Sequence, residues 1–71
     1  MTLEEYRQAQ GLTYSKLAKL IGAKHATIAR RYCLPYGHKD RMIPQVEYME
    51  RIVNFTGGMV QPNDFYLRRE A

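Results

Sequence analysis

Thr13–Arg31, TYSKLAKLIGAKHATIARR, is the stretch whose reading decides the fold. Tyr14, Leu17, Ala18 and Ile21 recur at i, i+3, i+4 and i+7, the period of one buried helical face. Thr13 suits the cap of that helix, and Leu12 before it has the spacing to Leu17 of a hydrophobic staple. Gly22 stops the helix, because a chain leaving a helix in a tight turn needs a residue that adopts positive φ without steric cost. A second helix is expected from about residue 24 to 32. With Ile28 set inward on a wheel of about 100° per residue, Lys24, His25, Arg31 and Tyr32 flank it, and Ala26 and Arg30 lie opposite. The outer face so drawn is small and basic, with Ala26 and Ala29 keeping it thin.

Ala18, Gly22 four places on and Ile28 six places after that resemble the helix-turn-helix of phage repressor and Cro-type proteins. The tail TGGMVQPNDFY, Thr56–Tyr66, is similar to the ending of small Cro-like and YdaS-like prophage regulators, and the resemblance covers about residues 2 to 66. Two positions depart from the pattern. Arg31 stands where such families keep a large apolar residue, a place that Tyr32 fills, and Lys24 stands where a Ser or Thr cap is common.

The resemblance implies an all-α, compact bundle of four to five helices with a lambda repressor-like fold. It implies a regulator that occludes a promoter as a homodimer on an inverted repeat in double-stranded DNA. Base edges would be read by His25, Ala26 and Arg30, the last by a bidentate contact to guanine and Ala26 by contact with a thymine methyl. His25 either reads a base or flanks the packing. Phosphates would be held by Tyr14 and Lys16 at the start of the first motif helix, by Lys24 and Thr27, and by Lys39 and Arg41 in the loop leading to Pro44. Arg31, on the inner side of the wheel, is expected to hold a phosphate or to pair with Glu47 or Glu50.

Outward from the motif, Thr2 and Glu5 form a capping box for a first helix over about residues 3 to 10, closed by Gly11. Leu34-Pro35-Tyr36-Gly37 breaks the third helix, and the segment through Met42 has no apolar period and reads as a loop. Pro44 suits the first turn of a fourth helix whose inward face is Val46, Met49 and Val53 with Ile52 beside them, running to about Phe55. Thr56-Gly57-Gly58 ends it. Met59-Val60 reads as a short extended piece, and Pro62 and Asp64 as the start of a brief last helix anchored by Phe65. Residues 1–67 thus form one domain, and 68–71 a frayed tail. Tyr6, Tyr14 and Tyr48 fall on apolar faces and belong to the core.

Seventy-one residues are near the lower limit for a core without staples. Eleven Lys and Arg against seven acids leave a net charge of +4, which favours a polyanion as partner. The single Cys33 forms no internal disulfide, and neither an apolar run of membrane-spanning length nor a leader is visible, so a cytoplasmic protein is expected. Asn54-Phe55-Thr56 matches a glycosylation sequon, which has no consequence there. Cys33, His25 and His38 lack the spacing of a zinc site, and Gly57-Gly58 lacks the Lys of a phosphate loop. No enzyme, cofactor, metal or small-molecule ligand is therefore expected. The alternative is an antitoxin-like or adaptor module of the same fold, docking a protein through Leu20, Leu34 and Tyr36.

Overall fold

The computed structural model describes residues 1–66, and the expected frayed tail at 68–71 lies outside them. Two helices punctuated alike open the chain. In α1 (Leu3–Gln10) the Thr2 hydroxyl accepts from the Glu5 amide at 3.1 Å while the Glu5 carboxylate accepts from the Thr2 amide at 2.7 Å. In α2 (Tyr14–Ile21) the Thr13 hydroxyl accepts from the Lys16 amide at 3.1 Å. Both helices end on a left-handed glycine, Gly11 at φ 66° and Gly22 at φ 77°, whose amides return to carbonyls of the last turn. Arg7 ties the pair together. Its guanidinium grips Glu4 at 2.6 and 2.8 Å, donates to Leu12 O at 2.9 Å and lies 4.4 Å from the centre of the Tyr14 ring.

The remaining helices are α3 (Ala26–Cys33), α4 (Val46–Phe55) and the single turn α5 (Asn63–Tyr66). The fold is all-α, with no strand among the described residues. No described helix is long and apolar enough to cross a membrane. The most extensive helix contact is α2 on α3, and each of these helices buries an alanine, Ala18 and Ala29. Small side chains there let the backbones approach. Around them the core gathers Leu3, Leu17, Ile21, Tyr32, Cys33, Met49, Ile52, Val60 and Phe65. Tyr6, Tyr14 and Tyr48 are half-buried against this cluster, Tyr6 edge-on to Phe55 and Tyr48 tilted against Tyr32.

Three boundaries differ from the sequence expectation. The second motif helix begins at Ala26, not 24, because Gly22 through His25 are all needed to turn the chain. Pro44 is buried ahead of the N-cap Gln45 and is not in the first turn of α4. Val46 consequently falls on the outer side, 76% exposed, and the inward face is Met49 and Ile52. Met59-Val60 forms bends, with Val60 wholly buried. Thr56 holds that corner: its buried hydroxyl donates to Ile52 O at 2.7 Å and accepts from the Val60 amide at 3.2 Å.

Candidate nucleic-acid interface

The rotation of α3 decides which side chains leave the protein. His25 is the N-cap, with extended backbone and no side-chain hydrogen bond to the helix. Ala29, Tyr32 and Cys33, at i, i+3 and i+4, form the buried face, and Ala29 has no exposed surface. Ile28, which the wheel reading set at the centre of the inward face, is only half-buried. The helix is therefore turned by about one residue, or 100°, from that reading. Two consequences correct it. Ala29 is core and does not thin the outer face, and Arg31 is exposed, not on the inner side. Packing is the physical cause: the small Ala29 side chain, without exposed surface, lets α3 approach α2, its most extensive helix contact.

The exposed face of α3 is Thr27, Arg30 and Arg31, preceded by exposed Lys24 and His25, while Ala26 is half-buried. The amides of Ala26 and Thr27 have no partner among the described residues, so the helix start presents two donors and the positive end of its dipole. Lys16 and Lys19 are exposed on α2. Tyr14 is half-buried beneath Arg7, and the amides of Tyr14 and Ser15 have no partner among the described residues.

The connection from 34 to 45 returns to α3, where the Met42 amide donates to Arg31 O at 3.2 Å and Arg31 Nη1 lies 3.7 Å from Met42 Sδ. Arg31 makes no ion pair with Glu47 or Glu50; the ion pairs among the described residues are Met1–Asp64 and Glu4–Arg7. Lys39 is exposed in this loop. Arg41, expected beside it as a phosphate ligand, is turned inward: Nε donates to Leu34 O at 3.1 Å and Nη2 to Phe65 O at 2.8 Å, with the guanidinium 4.4 Å from the Tyr36 ring centre. Tyr36 OH donates to Asp64 O. These bonds fasten the loop to α5, and sequence reading had no signal for them because carbonyl acceptors carry no sequence identity.

A cleft of about 310 Å³ is lined by Leu3, Glu4, Cys33, Tyr36, Arg41 and Phe65 among others. Burial, aided by the nearby Glu4 carboxylate, pushes the Cys33 thiol up to about 12, so it stays protonated and is not an activated nucleophile. Hydrogen bonds from Arg7 hold Glu4 below the usual carboxylate range. Among the described residues no three His, Cys, Asp or Glu side chains are grouped as a metal ion requires. No protein-family model, curated protein or solved structure matches this chain.

Proposed function

We propose that this chain is a sequence-specific double-stranded DNA-binding regulator, a Cro-like repressor that enters the major groove with α3. One observation carries the reading. A short helix, fixed by α2 along its alanine-lined side, presents Thr27, Arg30 and Arg31 to solvent with no acid partner among the described residues. A helix with its side chains fits the major groove of B-DNA, and the outward residues then reach base edges. The open amides at the starts of α2 and α3 suit phosphate oxygens on the groove walls. Lys16, Lys19, Lys24 and Lys39 surround them as exposed cations.

One helix of two turns reads only a few base pairs, too few for selectivity in a genome, so the chain acts as a homodimer on an inverted repeat. Half-sites lie about one helical turn apart. The role is that of a cytoplasmic binding protein without catalysis, cofactor or metal.

Exposed Leu20, together with Met42, Ile43 and Val46, supports the second reading, an antitoxin-like or adaptor module that docks a protein. Leu34 and Tyr36, the other two side chains expected on that surface, are half-buried. Selection from a random DNA pool by the purified protein separates the two. Enrichment of an inverted repeat, with affinity falling linearly on a log–log salt plot, supports the repressor. The exposed cations on and around α2 and α3, Lys16, Lys19, Lys24, Arg30, Arg31 and Lys39, would contribute up to about −5 to the slope per protomer at about −0.9 per phosphate. Binding without any enriched sequence overturns it.

A further inference from the structure

We infer that Arg31, and not Arg30, is the guanine-reading side chain of α3, with Thr27 beside it as the second specificity-determining residue and Arg30 as a phosphate contact. The inference rests on the DNA-binding reading above. Ala29 marks the inward direction, since it is wholly buried with Tyr32 and Cys33 on either side of it. On a wheel of about 100° per residue, Thr27 and Arg31 both stand about 160° from Ala29, one on each side of the point opposite the core. Arg30 and Ile28 stand about 100° away, at the two edges. A helix laid in the major groove turns its central ridge to the floor, where the base edges are, and its flanks to the walls, where the phosphates run. The ridge is therefore Thr27–Arg31, and the arginine on the flank meets a backbone.

The surroundings of Arg31 agree with that role. Its carbonyl is fixed by the Met42 amide at 3.2 Å and its Nη1 rests 3.7 Å from Met42 Sδ. A thioether is a weak, uncharged acceptor, so it steadies the guanidinium without neutralising it and yields readily to the O6 and N7 of guanine. Ordering the side chain beforehand lowers the entropy lost on binding. Thr27, four residues earlier at about 1.5 Å per residue, is about 6 Å along the helix. That is just under two base-pair steps of about 3.4 Å. The guanine accordingly lies one or two base pairs from the base that meets the Thr27 hydroxyl or methyl. Ala26, half-buried and about 60° from Ala29 on the wheel, is withdrawn from the groove floor.

The test repeats the random-pool selection with the full chain and with Arg31→Ala, Arg31→Lys and Arg30→Ala, followed by titration of the wild-type consensus and of random DNA. Arg31→Ala is expected to erase one guanine column per half-site and to lower affinity for the consensus about 5- to 150-fold per half-site, with a far smaller loss on random DNA. Arg31→Lys keeps the charge and loses the fork, so it degrades the same column while leaving random DNA bound as before. Arg30→Ala keeps every column and weakens consensus and random DNA alike. The assignment is overturned if Arg30→Ala removes the guanine column, or if a wild-type motif survives both Arg31 variants unchanged. A wild-type selection that enriches nothing overturns the DNA-reading proposal itself, so the two failures are told apart. Both positions are exposed, and melting curves within a few degrees of wild type establish that the three variants fold.

Discussion

Gly22→Ala probes the joint on which the placement of α3 depends. Gly22 sits at φ 77°, where an L side chain costs about 1–2 kcal/mol. A Cβ there would also collide with Nη1 of Arg51, whose guanidinium reaches from α4 to donate to Ile21 O at 3.4 Å. The clash displaces the cation from the C-terminal end of α2, where its interaction with the helix dipole is worth about 0.3–1 kcal/mol. Gly11→Ala is the matched control: φ is 66° and no atom lies within 4 Å of the added carbon. At both sites the stiffer unfolded chain returns about 0.4–1 kcal/mol. The net expectation is about 1 kcal/mol for Gly11→Ala and about 1.3–2 kcal/mol for Gly22→Ala, read as urea midpoints at constant slope. In thermal melts each kcal/mol corresponds to about 4–8 °C for a domain of this size. Arg51→Ala alone should cost about 0.3–1 kcal/mol, and the double variant should cost less than the sum, because the collision partner is gone. Equal costs at the two glycines, or additivity within about 0.3–0.5 kcal/mol in the cycle, would refute the contact between Arg51 and the turn.

Two further tests follow from the cleft and the loop. The Cys33 thiol is raised from an ordinary 9.0 to about 12, so the folded state retains a proton that the unfolded chain releases; the stability is fully present below pH 9 and declines as pH rises toward 12, by at most about 1.4 kcal/mol per pH unit. Tyr32 shifts in the same direction through burial, so Cys33→Ala should flatten the decline without abolishing it, and the native thiol should resist alkylation at pH 8 until urea unfolds the chain. Lys39→Ala should flatten the DNA salt slope by about one unit and leave the melting temperature within about 2 °C. Arg41→Ala should do the reverse, lowering stability by about 1–3 kcal/mol through loss of its bonds to Leu34 O and Phe65 O while the salt slope stays unchanged.

The parts of the fold that were legible in the sequence are those decided within a few residues. Thr2 with Glu5, Thr13, Gly11 and Gly22 fix the ends of α1 and α2 by local hydrogen bonds and left-handed backbone, and α1 runs over the expected 3–10. The turn before α3 is decided differently. Ala26, Ile28, Ala29, Tyr32 and Cys33 place apolar groups on three sides of a two-turn helix, so periodicity alone admits more than one rotation. Packing against α2 selects the one that buries Ala29. A signal did exist, because setting Ala29, Tyr32 and Cys33 inward sends Thr27, Arg30 and Arg31 out together, whereas an inward Ile28 strands Arg31 beside the core. At α4, proline is acceptable both in a first helical turn and just ahead of it, and only the burial of Pro44 shows that Val46 turns outward.

Charge was the least legible property, because a count treats every cation as available to a polyanion. Arg7, Arg41 and Arg51 are held by main-chain carbonyls at Leu12, at Leu34 and Phe65, and at Ile21, each joining one segment of the chain to another. A planar guanidinium satisfies several such acceptors at once, which an ammonium does less well. Every lysine of the described residues remains exposed. The division has a consequence for the proposed interface. Arg7 fastens α1 to the start of α2, Arg51 fastens α4 to the end of α2, and Arg41 fastens the loop to the end of α3 and to α5, so on the proposed reading removing one would alter DNA binding through the fold. On the proposed reading the exposed lysines would supply attraction without direction, and Arg31, on the ridge of α3 opposite buried Ala29, would be the cation whose planar fork distinguishes one base pair from another.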